Sequence, residues 1–137
     1  MTRRAPSRLV LDTSAYSHFR ANREEIVELI ARAEVVLLPT VVLGELEAAF
    51  QLGRRAAENR VVLDDFLAEP FVSILPITVD VARRYGEVFA ALRKAGTPIP
   101  TNDVWIAATT MDAGGHLVTF DGDFARVRGL SATVLKA

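Results

Sequence analysis

The chain has 137 residues, half of them hydrophobic, no cysteine and a formal net charge of −1. That length carries one hydrophobic core, and the apolar content excludes a disordered chain. Near-neutral charge excludes nucleic-acid binding by a bulk positive field, so any polyanion must be held by local arginines or by a metal. The missing cysteines exclude a disulfide scaffold, a thiol nucleophile and a Cys-zinc site.

No apolar run reaches the ~20 residues that span a bilayer. The first seven residues, Met1 to Ser7, are basic but lead into only a few apolar residues, unlike a signal peptide, so a cytoplasmic protein without membrane contact is expected. Leu9-Val10-Leu11 has the make-up of a buried strand and ends on Asp12, which opens a short helix to Arg20. Asn22 is expected to cap a second helix, with Glu24 and Glu25 in its first turn and Ile26, Leu29, Ile30 and Ala33 inward. Val35 to Leu38 reads as a second strand closed by Pro39, and Thr40 as the cap of a third helix running to about Gly53. A fourth helix, from about Arg55 to Ala68, turns Val62, Leu63, Phe66 and Leu67 inward.

Phe71 to Leu75 is a third strand. Thr78 and Asp80 start a long helix whose Val81, Tyr85, Val88, Phe89 and Leu92 follow helical spacing. After the loop Thr97 to Thr101, Thr101 or Asn102 is expected to cap a helix ending near Met111. His116 to Thr119 and Ser131 to Leu135 complete the strands. Strands separated by helices imply a single α/β domain over 1–137, with a parallel sheet covered on both faces.

Most of the seventeen acidic residues are explained as helix starts or solvated faces; four invite another reading. Asp12 follows a strand, at the edge where open α/β sheets bind ligands, although capping is an ordinary task for Asp. Glu45 has Val41, Val42, Ala48, Ala49 and Leu52 at helical neighbour positions, so it is expected to project from an apolar face. A carboxylate there needs an Arg partner, a proton or a cation. Glu47 points elsewhere and serves as the comparison acid. Asp103 opens an apolar helix, where a dipole-favoured acid is common. Asp121 follows a strand, with Asp123 two residues on in a glycine-containing turn.

In a doubly wound sheet these positions converge on one edge. Two carboxylates ~4 Å apart repel by about 4 kcal/mol at an effective dielectric of 20. An all-oxygen set of that charge suits Mg²⁺ or Mn²⁺, ions that serve phosphoester chemistry. His18 and His116 are the only imidazoles; His18 lies among aromatics and reads as a packing or capping residue. Arg126 and Arg128 either hold phosphates or form a solvated face.

Leu11-Asp12-Thr13-Ser14, Leu43-Gly44-Glu45-Leu46, Thr101-Asn102-Asp103-Val104-Trp105 and Leu117-Val118-Thr119-Phe120-Asp121-Gly122-Asp123-Phe124 resemble, in order and spacing, the motifs of PIN-domain ribonucleases. Among these the chain is most similar to the VapC-type toxins of bacterial type II toxin–antitoxin pairs. The resemblance covers essentially the whole chain. It implies a three-layer α/β/α sandwich with a mostly parallel central sheet, a Mg²⁺- or Mn²⁺-dependent endoribonuclease acting on an RNA substrate, a homodimer, and inhibition by a cognate antitoxin. By the same resemblance Asp12 and Asp103 are the direct metal ligands, and Glu45 and Asp121 complete an acidic quartet. Asp123 shares or replaces the role of Asp121, Thr13 and Thr119 match the hydroxyl positions that orient ligands, and Asn102 is the residue that precedes the third acid, an additional site position.

Two other classes compete. One is a PIN domain that binds RNA or protein without cutting, against which four crowded acids argue. The other is a phosphotransferase with Asp12 as nucleophile. The dehalogenase-like version wants an acid at the position of Ser14, and the receiver-like version wants a late lysine where only Lys136 stands.

Overall fold

A computed structural model describes residues 7–137. Five strands, β1 (Arg8–Leu11), β2 (Val35–Pro39), β3 (Val72–Leu75), β4 (His116–Thr119) and β5 (Ala132–Val134), form one sheet in the order β3-β2-β1-β4-β5. Every pairing is parallel. Parallel strands need crossovers, and six helices supply those from β1 to β4: α1 (Thr13–Arg20), α2 (Glu24–Arg32), α3 (Thr40–Leu52), α4 (Ala56–Leu67), α5 (Val79–Lys94) and α6 (Thr101–Asp112). Right-handed connections put α1 to α4 on one face and α5 and α6 on the other, giving the α/β/α sandwich. The chain steps outward from β1 through β2 to β3, then returns across the sheet to β4. The strand order therefore reverses between β1 and β4, and a crevice opens at their carboxyl ends.

The central strands are apolar throughout because both of their faces are covered. Leu9, Val10, Leu11, Val36, Leu38, Leu117 and Val118 are all fully buried. At the opposite, amino end of the sheet the backbone of Gly115 runs so close to β1 that an added Cβ would lie 2.6 Å from Val10 Cγ2. β3 is an edge strand, and its Ile74 is correspondingly 48% exposed.

Several local expectations change. Asn22 does not cap α2: it takes a left-handed φ of 65° in the turn that ends α1, a conformation Asn tolerates, and α2 starts after Arg23 without a side-chain cap. Thr40 and Thr101 are first helical residues rather than caps, because Pro39 and Pro100 hold the preceding extended conformation. Thr40 donates instead to the Leu75 carbonyl at 2.8 Å, tying α3 to the end of β3. Thr78 does cap α5, accepting from Val81 N. In α4 only Leu63 and Phe66 are buried, and Val62 is exposed. The turn after Asp121 is a short 3₁₀ helix, Gly122–Arg126.

Candidate active site

Asp12 caps a helix and also stands at the ligand-binding edge of the sheet. It is the N-cap of α1, accepting from Ala15 N through Oδ1 at 2.8 Å, and it lies at the β1–β4 crevice, only 4% exposed. Ser14 Oγ donates to the same Oδ1 at 2.8 Å, and Thr119 Oγ1, from the end of β4, donates to Oδ2 at 2.5 Å. Three donors hold the carboxylate in one orientation. Burial nonetheless raises its pKa, and the bonds from Thr119, Ala15 and Ser14 work against that rise. Oδ1 has both acceptor positions filled, whereas Oδ2 keeps capacity for a further partner.

The turn after β4 is threaded through the same hydroxyls. Asp121 N donates to Thr119 Oγ1 at 2.9 Å, and Phe120 N donates to Ser14 Oγ at 3.0 Å. Asp121 then accepts from Asp123 N at 2.9 Å, an Asx-type turn that places two carboxylates on one short segment. Carboxylate oxygens of Asp103, Asp121 and Asp123, all half-buried, lie within 4.8 Å of one another. Asp12 stands beside this trio rather than within it, close enough to be repelled by Asp121 and to repel Asp103.

Asp103 shows the electrostatic consequence. It sits in the first turn of α6, where Asp103 N and Val104 N donate to the Pro100 carbonyl. Burial first, then the charges of Asp121, Glu45, Asp12 and Asp123, push its pKa up to about 7. Helix dipoles favour an acid in a first turn, but here four like charges and desolvation prevail.

Glu45 reaches the same edge from α3. It accepts from Thr13 Oγ1 at 2.6 Å and from Asn102 Nδ2 at 3.4 Å, so a hydroxyl and an amide, and no arginine, are its donors among the described residues. The apolar face assigned to it is corrected by the structure. The buried residues of α3 are Val42 and Leu46, Leu52 is 91% exposed, and Glu45 is half-buried on a flank. Glu47 is an ordinary surface acid, held by Arg60 at 2.5 Å and by Gln51 at 3.0 Å, and Arg60 keeps its pKa low.

Ser14 is a site residue to which the sequence analysis assigns no role in holding the acids. The Asp-Thr-Ser run carries the signal: a hydroxyl two residues after an N-cap Asp can return to it. Arg126 donates to the Pro98 carbonyl at 3.3 Å and lies 3.7 Å from Asp123, so it is turned onto the acidic edge. His116 lies elsewhere, bonded to Ser131 and Thr133.

The donor set is oxygen only, partly buried and self-repelling. Those are the properties that a hard divalent cation satisfies, and Asp103, Asp121 and Asp123, with Oδ2 of Asp12, are the residues able to hold one.

Comparison with known proteins decides the family. A PIN-domain family model matches residues 9–130. The ribonuclease VapC5 of Mycobacterium tuberculosis is 30% identical over 132 residues, 93% of each chain. The chain is a VapC-like PIN domain. Its fold is also that of the solved VapBC2 of Rickettsia felis bound to a promoter DNA fragment, with a TM-score of 0.83 at 23% identity, over 94% of this chain and 99% of that one. VapBC-5 of Mycobacterium tuberculosis, a member of the VapBC family of toxin–antitoxin systems, superposes with a TM-score of 0.74 at 27% identity, over 96% of this PIN domain and the whole of its counterpart. No helix among the described residues is long and apolar enough to cross a membrane.

Proposed function

We propose that this PIN domain is a divalent-metal-dependent endoribonuclease, with Mg²⁺ or Mn²⁺ as cofactor, and the toxin of a type II toxin–antitoxin pair. The observation that carries this reading is the convergence of Asp12, Glu45, Asp103, Asp121 and Asp123 on the β1–β4 crevice, with the Asp103 carboxyl pushed up to about 7 by its acidic neighbours. So many like charges repel one another, and a bound cation relieves that repulsion. The relatives named as ribonucleases support RNA as the substrate, and the solved VapBC assemblies support a cognate antitoxin as the partner. Exposed Ile74, Ile77 and Val79 beside the free β3 edge support association with a second copy.

The catalytic acids are Asp12, Glu45, Asp103 and Asp121, with Asp123 beside them. Asp12, Asp103, Asp121 and Asp123 would hold the cation, and a bound divalent ion supplies a more acidic water and neutralises phosphoryl charge. The protein's own part is orientation. Thr119, Ser14 and Ala15 N fix Asp12, and Thr13 and Asn102 fix Glu45. The reaction is hydrolysis: water oxygen bonds to phosphorus, the phosphorus–oxygen bond to the departing nucleotide breaks, and that oxygen takes up a proton. No side-chain nucleophile is required.

The test is incubation of antitoxin-free protein with a mixed RNA pool in Mg²⁺, in Mn²⁺ and in EDTA, beside Asp12→Asn and Asp103→Asn. Cleavage that needs both the metal and the two carboxylates is expected. RNA binding without cleavage in any metal would overturn the nuclease reading in favour of a binding module.

A further inference from the structure

One cluster at this edge has no part in holding the acids. The rings of His18 on α1 and Phe120 after β4 lie 3.9 Å apart between centroids at 35°, and the Arg23 guanidinium carbon lies 5.4 Å from the Phe120 centroid. All three residues are half-buried. Phe120 is covalently next to Asp121, and its N–H bonds to the Ser14 hydroxyl that also holds Asp12. The aromatic pair is therefore locked to the acidic site by the chain itself.

Packing of α1 does not account for the pair. The inner side of α1 is anchored by Tyr16 and Phe19, whose rings meet Phe66 of α4 at 5.7 and 5.3 Å. The His18 carbonyl accepts from Arg23 N at 3.0 Å, but its ring has no hydrogen-bond partner among the described residues, and no side-chain nitrogen or oxygen there is both buried and unpartnered, so the ring nitrogens reach solvent. Arg23 donates to the Lys136 carbonyl and makes no ion pair among the described residues, leaving its charge uncompensated. An accessible imidazole, an aromatic ring and an unpaired guanidinium, fixed beside a phosphate-processing edge, are the components that hold unstacked bases of single-stranded nucleic acid.

We propose that His18, Phe120 and Arg23 form the stacking platform for a base of single-stranded RNA, that of a nucleotide flanking the scissile phosphate. This rests on the nuclease reading, and it adds how an acidic site retains a polyanion: by base stacking and one local cation.

Binding is measured by fluorescence anisotropy in Mg²⁺, in an Asp103→Asn background. The probes are a random-sequence RNA strand of about 12 nucleotides and an abasic ribose-phosphate strand of equal length. His18→Ala should weaken binding of the base-bearing strand about tenfold and leave the abasic strand unchanged, while His18→Phe keeps the parental affinity. Arg23→Ala should weaken both strands. Thermal melts of each variant should stay within ~3 °C of the parent.

Equal affinity of parent and His18→Ala for the base-bearing strand, or an equal loss on both strands, overturns the platform. If the wild type cuts RNA while His18→Ala binds it unchanged, only the platform fails. If the wild type never cuts but His18→Ala still loses base-dependent binding, the platform stands and the nuclease reading fails.

Discussion

Thr119 Oγ1 donates to Asp12 Oδ2 at 2.5 Å across 107 positions of sequence, and the same oxygen accepts from Asp121 N. One hydroxyl thus joins the ends of β1 and β4 at the crevice where the strand order reverses. Thr119→Val keeps the shape and removes both bonds. Loss of about 1–3 kcal/mol is expected, read by urea unfolding in EDTA, with a fall in RNA cleavage; Thr119→Ser should retain most of both. Unchanged stability in Thr119→Val would show that Asp12 is held by Ser14 and Ala15 N alone.

The raised pKa of Asp103 makes metal-free stability depend on pH in a defined direction. Its folded value of about 7 lies above the ordinary 3.8, so between these values the folded chain binds more protons than the unfolded one. Stability then falls as pH rises from about 4 to about 7, and the loss is complete above that window. In EDTA the melting temperature of wild type should be lower at about pH 8 than at about pH 5. Asp103→Asn should flatten that dependence and melt above wild type at the higher pH. A steeper dependence in Asp103→Asn would assign the titration to another group.

Cation binding should act in the opposite sense. Excess Mg²⁺ or Mn²⁺ stabilises the folded chain by mass action, about 2.7 kcal/mol at 100 times Kd. Because protons compete for the same carboxylate, the rise in melting temperature should be larger at about pH 8 than at about pH 5. A rise that survives Asp103→Asn and Asp121→Asn together would place the ion elsewhere.

Glu45 and Glu47 sit two residues apart on α3 with different partners. Glu45→Gln should lower RNA cleavage by on the order of 10–100-fold, since its carboxylate faces the acidic edge and is held by Thr13 and Asn102. Glu47→Gln should leave cleavage unchanged, because Glu47 meets only Arg60 and Gln51 at the surface. Initial rates on one RNA substrate compare the two, and equal losses would argue that both act through the stability of α3.

Gly115 has a packing reason to be glycine. Gly115→Ala puts a methyl group against Val10 on the fully buried central strand and should cost about 1–3 kcal/mol. Urea unfolding checks the cost, and the activity per folded molecule should be preserved because the acidic edge lies at the other end of the sheet.

The architecture was legible in the sequence because its strands are short apolar runs and its crossover helices have clear periodicity. Leu9 to Leu11, Val35 to Leu38 and His116 to Thr119 are all recovered as strands, and α5 has its expected inward residues Val81, Val88 and Leu92. Caps were less legible. Asn22, Thr40 and Thr101 have the right side chains, but proline geometry and a left-handed turn took over their places. Burial on α3 and α4 was also misjudged at Glu45 and Val62, since composition marks an apolar side without showing which neighbour covers it.

The α/β order of elements, and the acids that end strands or open helices, follow from the amino-acid sequence, because periodicity and residue chemistry are local properties. It takes the folded chain to gather Asp103 with Asp121 and Asp123, to lock Asp12 with Ser14 and Thr119, and to bring Glu45 to Thr13 and Asn102 rather than to an arginine. Those outcomes depend on the parallel pairing of β1 with β4 and on hydroxyl-to-carboxylate distances. The bond from Ser14 to Asp12 is local, but those to Glu45 from Thr13 and to Asp12 from Thr119 span 32 and 107 positions, where sequence spacing carries no information about angstroms.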